Sequence, residues 1–516
     1  MKATELCTLI GLLLVASSSA QRCPPAIQID KKPQVFIMSD ISNEPDDTMS
    51  FIRLLLHSDQ YNITGLVATS STWLNNSVVP REILNTTHAF GLVQDNLNVH
   101  TSGRFPTSDY LSSIVKAGQP VYGTRAIGMP PLSSGAELLI TIVDGMPDHE
   151  PLFTQAWGGT NVLAEALACV KATRAALDLE KFVKKLRVYS ISDQDDAGPW
   201  IRQNFPQIPY IVSLHGFNAY GLATWSGISG EKYYYFDGGG PDTSLVTEEY
   251  VKQNFQVGPL GSHYPDIAYI MQGDSPALMH TMVNGLNGGP SDQPSWGGWG
   301  GRYILLDRSR QSNVYSDTYD QVVGKDNKTY TSNHATIWRW RQAYQDEMSA
   351  RVQWSVLSDY ASGSHPPVVE VNGSCGSEPL IYTLPAEATI TLDASGTWDP
   401  DANLTGKNPL KYHWFQYREI TDVYTNTVDS LPKLNFTLSK DGKVAGTKLP
   451  TREEACKLPT GLQATFGVEP VCQQYHVILE VTGSGTPPIR RYKRVILKVE
   501  QEEDTAGSSS RKRDEL

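Results

Sequence analysis

From residue 34 to residue 340 the chain alternates short apolar runs with amphipathic stretches. Residues 34–38 read QVFIM, apolar at almost every position, as a strand buried on both faces reads. A polar loop follows. From residue 47 to residue 56, Met49, Ile52, Leu55 and Leu56 recur at helical spacing and predict a helix with one buried face. Residues 63–69 read as the next strand. Further strands are expected at 152–156, 186–191, 210–214 and 267–271, with helices such as 161–173 between them. Repetition of strand, loop and helix predicts an α/β fold with a mainly parallel sheet and helices on both faces. In such sheets ligands sit beyond the carboxyl ends of the strands, so the loops after these runs are where chemistry is sought.

The pattern changes near Ser364-His365-Pro366-Pro367. Between residues 368 and 500 the apolar runs become short, alternating and β-branched, at 388–392, 410–417, 477–481 and 494–499. That predicts a small all-β sandwich, and residues 366–500 are expected to fold alone. The expected organisation is a leader over 1–20, an α/β domain over 33–363, the sandwich over 368–500 and a flexible tail over 501–516.

Both ends read as addresses. Residues 1–20 carry Lys2, a brief apolar run and Ser18-Ser19-Ala20, the layout of a secretory signal peptide. No later stretch reaches 18 apolar residues, so no membrane insertion is expected. The last four residues, Arg513-Asp514-Glu515-Leu516, resemble the KDEL retrieval signal. The expected location is the secretory pathway: outside the cell, or held in the endoplasmic reticulum lumen by the retrieval receptor. Asn62, Asn75, Asn85, Asn327, Asn372, Asn403 and Asn435 each head an Asn-X-Ser/Thr triplet, as suits that route. Outside the leader five cysteines remain. Cys456 and Cys472 are the first expected disulfide and Cys23 with Cys375 the second, which leaves Cys169 free.

Composition narrows the partners. Across 516 residues, 55 Asp and Glu outweigh 43 Lys and Arg, a net charge of −12, which argues against nucleic acid or an anionic membrane. Eleven Trp and 24 Tyr suit carbohydrate contact as well as a large core.

The chemistry is concentrated after the first strand. Asp40, Glu44, Asp46 and Asp47 place four acids within eight residues, at a strand's end and a helix's start. Helix capping by Asp46 and a favourable dipole at Asp47 account for two of them, not four. Loop carboxylates in that position can converge on a hard cation such as Ca²⁺, which takes oxygen ligands. Gly158-Gly159-Thr160-Asn161 is a tight turn into a helix, where a backbone carbonyl can face a ligand. Asp274, and the group Asp193, Asp195 and Asp196, again place acids after apolar runs. Trp200, Trp296 and Trp299 lie on loops where a ring can stack on a sugar face, and Arg302 follows the Gly-rich Trp296 to Gly301 loop.

These segments resemble known families. Asp40-X-Ser42-X-X-X-Asp46-Asp47 is similar to the Asp-X-Asp-X-X-X-Asp-Asp fingerprint of nucleoside hydrolases. Residues 157–164 look like that family's Gly-Pro-Leu-Thr-Asn helix start, where the Thr carbonyl binds calcium, and Asp274 looks like its late metal-binding Asp. A closer resemblance, over residues 33–500, is to secreted microbial proteins described as cellulose-binding, which pair a nucleoside-hydrolase-like domain with a C-terminal β-sandwich. Residues 191–200, 296–302 and 392–401, the last also similar to PKD and immunoglobulin-like domains, carry it.

The resemblance implies Ca²⁺ held by Asp40, Asp46, Asp47, Asp274 and the Thr160 carbonyl, with Asp46 also turned to sugar hydroxyls. Two positions depart from the nucleoside hydrolases. Ser42 stands where their Asp takes the proton from water, and a hydroxyl cannot be a base near neutral pH. Glu44 or Asp40 is then the expected base. Gly273 stands where their His often precedes the late Asp. Substrate contacts are expected from Asp46, Asn161, Asp193, Asp195, Asp196, Trp200, Trp296, Trp299 and Arg302. The expected function is a Ca²⁺-dependent glycosyl hydrolase acting on an N- or O-glycosidic bond. The alternative is a non-catalytic polysaccharide-binding protein on a degenerate hydrolase fold.

Overall fold

The computed structural model describes residues 22–24, 32–286, 293–307, 309, 311–405, 409–421, 428–456 and 472–500. The expected leader and the Arg513–Leu516 signal lie outside the described residues. Among the described residues no helix is long and apolar enough to cross a membrane.

Eight strands build the main sheet: β1 Gln34–Ser39, β2 Asn62–Ala68, β3 Val115–Ala117, β4 Leu152–Ala156, β5 Leu186–Ser192, β6 Tyr210–Ser213, β7 Tyr303–Leu305 and β8 Val314–Asp317. Their order is β3-β2-β1-β4-β5-β6-β8-β7. All neighbours run parallel except β7, which is antiparallel to β8. Strand order reverses between β1 and β4, so the loops leaving these two strands part there and open a crevice.

Alternation along β1 explains the layers. Val35 and Ile37 enter one core, Phe36 and Met38 the other. The helix Pro45–Leu56 packs Phe51, Ile52 and Leu55 into the first core. The helix Asn161–Thr173 packs Val162, Leu163 and Leu167 into the second. Both faces of the sheet are covered, which is why its central strands read as continuous apolar runs.

Residues 267–271 are not a strand. Tyr269 adopts φ +64, Ala268 and Ile270 form only an isolated bridge, and Tyr269 is exposed. Tyr269 and Ile270 line a cavity mouth, while Met271 is buried in the first core and Ile267 packs against it. The sheet position beyond β6 belongs to β8 instead.

After a small hairpin, β9 Asp320–Val323 with β10 Thr329–Ser332, the helix Arg341–Trp354 leads toward the C-terminal region. There β11 Leu380–Leu384, β12 Thr389–Asp393, β13 Lys411–Gln416, β14 Phe436–Leu438, β15 Val444–Lys448, β16 Gln474–Thr482 and β17 Arg490–Val499 form two sheets. Their orders are β11-β17-β16-β13 and β12-β15-β14, and they enclose Leu392, Trp414, Ala445, Val477, Leu479 and Val495. Disulfides join Cys456 to Cys472 and Cys23 to Cys375, and Cys169 is free.

The expectation that 366–500 folds alone meets a physical objection. The outer face of β16 and β17 packs Ile478 and Tyr492 into the core of the α/β domain, beside Trp299 and Tyr344. Buried Arg491 donates to Glu347 at 2.6 and 3.0 Å, and buried Arg494 donates to the Leu286 carbonyl at 2.6 Å. Separated, this face would expose apolar rings and strip two guanidinium groups of their partners in the α/β domain.

Candidate active site

The loop after β1 turns into the helix Pro45–Leu56. Pro45 opens that helix, where its missing N–H costs nothing, and Asp46 and Asp47 occupy its first turn, where the dipole favours them. Ser39, the last residue of β1, donates its hydroxyl to Asp47. Ser71, after β2, donates to Asp40. The turn after β4 needs Gly158, because a Cβ there would lie 2.5 Å from an Asp40 carboxylate oxygen. Three strand ends thus aim and hold two carboxylates.

Asp274 arrives from the segment after residues 267–271 and opens the short helix Ser275–His280. Asp46, Asp47 and Asp274 are buried, and one oxygen from each lies within 4.8 Å of the other two. Oxygens on opposite sides of a Ca²⁺ ion, each 2.3–2.6 Å from it, lie roughly 5 Å apart. One Asp274 oxygen has no hydrogen-bond partner although it is buried. Among the described residues, oxygen-only donors in this spacing, with an orphaned carboxylate oxygen, fit a hard divalent cation.

These acids line a cavity of about 420 Å³ together with Asp40, Asn43 and Glu44. The other walls are Trp73, Trp157, Ile191, Gln194, Tyr220, Trp225, Tyr233, Tyr234, Tyr269 and Ile270. Among the described residues, no Lys, Arg or His lines it. Burial, and the charge of neighbouring Glu44, push Asp40 up to about 6. Burial, Glu44 and Asp40 push Asp46 up to about 8. Burial and mutual repulsion hold Asp47 and Asp274 well above the usual carboxylate range. Burial alone raises Glu44. Four buried carboxyls facing one another must either hold protons or share a cation.

The remaining residues expected at the site are placed apart from the cavity lining. The Thr160 carbonyl accepts the helical N–H of Ala164 at 3.0 Å, and its hydroxyl donates to Asp195 at 3.1 Å. Asn161 is buried as a brace, donating to Ser70 and to the Gln119 carbonyl, both at 3.1 Å. Asp195 also accepts from Ala197 N at 3.0 Å, and burial pushes it up to about 7. Asp193 forms a two-pronged pair with Arg202 at 2.8 and 2.7 Å. Asp196 accepts from Thr124 N at 2.7 Å and its hydroxyl at 2.9 Å. Trp200 packs edge-on to Phe205.

Trp296, Trp299 and Arg302 belong to the seam with the C-terminal sheets. Trp296 packs on His476 and under Arg494, and buried Trp299 donates to Tyr492 at 3.3 Å. Arg302 is buried and donates to Asp320 at 2.7 Å. The Gly-rich loop that carries these rings is covered by β16 and β17, so its rings fold back onto protein. In the loop after β5, Gln194 rather than its acidic neighbours lines the cavity; it donates to the Trp157 carbonyl at 2.8 Å.

The aromatic walls are what sequence reasoning missed. Their one available signal was the dense run Tyr233-Tyr234-Tyr235-Phe236. Ser42, at φ +95, is exposed and does not line the cavity, whereas Glu44 does.

Residues 34–303, just over half of the chain, match the family described as cellulose-binding Sde182, nucleoside hydrolase-like domain. The chain belongs to this family. Residues 389–499 match the C-terminal domain of cellulose-binding protein Sde0182. A solved structure of a nucleoside hydrolase-related hypothetical protein from Saccharophagus degradans, described as associated with carbohydrate metabolism, is 28% identical. That alignment covers 91% of this chain and 100% of that one, with a TM-score of 0.71. The effector protein XOO4466 aligns over 64% of this chain and 95% of its own at 10% identity and a TM-score of 0.29, too weakly to bear on the fold. No curated protein matches. In the terms of the Sde182 family, the acid-lined cavity sits wholly within the nucleoside-hydrolase-like domain, and the second domain seals the seam around Trp299.

Proposed function

We propose that the chain is a glycosyl hydrolase whose acid-lined cavity works with a bound Ca²⁺ on a carbohydrate. The observation that carries this reading is the buried group Asp46, Asp47 and Asp274, with its orphaned Asp274 oxygen and, among the described residues, no basic side chain in the cavity lining. Asp46, Asp47 and Asp274 would hold the ion. When bound, the ion supplies Lewis acidity and fixes water against the substrate.

The chain's own residues supply the remainder. Glu44 lines the cavity and takes the place of the carboxylate missing at Ser42. It would accept the proton of the attacking water as oxygen bonds to the anomeric carbon and the glycosidic bond breaks, its electron pair leaving on the aglycone, which takes a proton from solvent. Asp40, oriented by Ser71 and Gly158, and the neighbouring acids would stabilise the oxocarbenium-like charge. Calorimetry with Ca²⁺ after chelator treatment tests the ion. Release of aglycone from a panel of aryl glycosides, oligosaccharides and nucleosides tests the reaction.

One observation favours a second reading. Ser42 does not line the cavity, and Gly273 brings no side chain to it, so neither position supplies an acid or base there. A protein that binds polysaccharide without turnover would show saturable binding to cellulose and no cleavage of any substrate on the panel. All seven sequon asparagines are exposed, and two disulfides close; both support passage through the secretory pathway.

A further inference from the structure

The cavity grades from dry carboxylates to wet rings. Asp40, Asp47 and Asp274 are each 4% exposed at its floor, whereas Tyr234, Trp73 and Tyr269 are 38%, 45% and 69% exposed at its rim. Large aromatic residues left in water at a cavity mouth call for an explanation, because burial is their default.

The rim rings are held in place. The Trp73 backbone N–H bonds the Ser71 hydroxyl at 2.9 Å, and the same hydroxyl donates to Asp40. Collar and catalytic floor therefore share one residue. Trp73 meets Tyr220 edge-on at 6.4 Å, and Tyr220 meets Trp225 at 5.2 Å. Trp225 is fixed in turn by its indole N–H, which donates to Ser192 at 3.0 Å. The rings thus step from floor to rim on edge-to-face contacts. Tyr234 packs over Gly221, where a Cβ would lie 3.3 Å from the Tyr234 Cβ. Tyr269 sits at φ +64, a conformation that bulky residues rarely adopt. Ser42 and Gln272, in the loops that deliver the acids, share a positive φ. Strain of this kind gathers where a site fixes its geometry.

The chemistry of the lining narrows the occupant. Five carboxyl side chains and, among the described residues, no basic one line the cavity, so it disfavours a phosphate or carboxylate ligand. A pyranose with equatorial hydroxyls presents flat C–H faces that pack on aromatic rings, while its rim of hydroxyls suits carboxylates. One sugar ring at the acids leaves the collar free for the next ring outward.

We propose that Trp73, Tyr234 and Tyr269 form an aromatic collar that grips a second pyranose outward of the one at the carboxylates, so that the cavity takes the end of a non-anionic oligosaccharide. The inference rests on the glycoside reading of the floor and adds the substrate's length and its mode of entry. The collar residues position substrate and take no part in bond breaking.

The test is calorimetry on the full chain in Ca²⁺, in a Glu44→Gln background that spares the ligand, with glucose, cellobiose, cellotriose and inosine. Affinity is expected to climb with chain length. Trp73→Ala and Tyr269→Ala should each weaken cellotriose binding about tenfold or more, as truncation of an aromatic anchor does, so that the gain over glucose collapses. Trp73→Phe should restore most of it. Variants must melt as the parent does and keep its Ca²⁺ affinity. An unchanged dependence on chain length in the Ala variants overturns the collar and leaves the glycoside reading standing. Inosine binding more tightly than cellotriose, with equal sensitivity to Trp73→Ala, overturns it in favour of a nucleoside site. Ca²⁺ binding without binding of any of the four ligands overturns the glycoside reading and the collar together.

Discussion

Gly273 lies against Asp46: a Cβ at position 273 would sit 2.5 Å from an Asp46 carboxylate oxygen and 3.1 Å from the Trp225 ring. The glycine is therefore a spacer for the acid cluster, and the space that a histidine would need in this position is filled. Gly273→Ala should displace the Asp46 carboxylate and lower Ca²⁺ affinity about tenfold. Position 273 requires no positive φ, so the backbone itself is not strained by the change. Calorimetry with Ca²⁺ checks the loss, and a melting curve in chelator should stay within a few degrees of the parent's. Unaltered Ca²⁺ affinity would remove Gly273 from the site.

The same cluster makes metal removal informative. Asp274 carries the orphaned buried oxygen, and Asp47 faces it. Asp274→Asn keeps the shape and removes a carboxyl that, without a cation, stays buried among the other acids only by holding a proton. It should raise the melting temperature of the chelated protein while abolishing the further rise that Ca²⁺ brings to the parent. A Ca²⁺-induced shift that survives Asp274→Asn counts against the ligand set.

How legible was all this in the sequence? The acid loop was legible because its information is local: four acids in eight positions, between a buried run and an amphipathic one. The strands at 34–39, 152–156 and 186–192 were legible because a central parallel strand is apolar on both faces. Residues 267–271 have the same composition but form a loop between a cavity and the core, and composition alone cannot separate the two. The collar was not legible. Trp73, Tyr234 and Tyr269 come from three distant segments that only the folded loops bring together. Trp296, Trp299 and Arg302 failed for the converse reason. Their glycine-rich loop reads as an exposed one, and the C-terminal sheet that covers it lies almost two hundred residues further on.

The seam between the domains sets the behaviour in acid. Burial alone would push Glu347 up, but Arg491 and Arg351 outweigh it and hold its carboxyl far below the ordinary 4.5. A group depressed in the folded state adds stability above its unfolded value, and that stability is lost as pH falls through the folded one. The protein should therefore lose stability progressively below about pH 4.5. Glu347→Gln leaves Arg491 and Arg351 buried without their shared carboxylate, a change that costs roughly 3–5 kcal/mol. Its melting temperature at pH 7 should drop and vary less between pH 5 and pH 3 than the parent's. An equal acid dependence in the two proteins would show that Glu347 is not the group responsible.

The reaction itself turns on Glu44. Of the two candidates for base, Asp40 already accepts a hydrogen bond from Ser71 and is walled by Gly158, while Glu44 is only half-buried at the cavity. Glu44→Gln keeps the side chain's size and its capacity to accept one hydrogen bond, but removes its capacity to take a proton. Turnover should fall by about 10² to 10⁴ while Ca²⁺ affinity changes less. Ser42→Asp tests the converse. Ser42 is exposed at φ +95, a backbone that aspartate tolerates better than most residues, yet its side chain does not line the cavity. A carboxylate added there should give no nucleoside cleavage unless the loop rearranges. Steady-state rates on the glycoside and nucleoside panel decide both points. Full activity in Glu44→Gln would pass the role to Asp40. Strong nucleoside cleavage by Ser42→Asp would mean that the loop can swing its third position back over the acids.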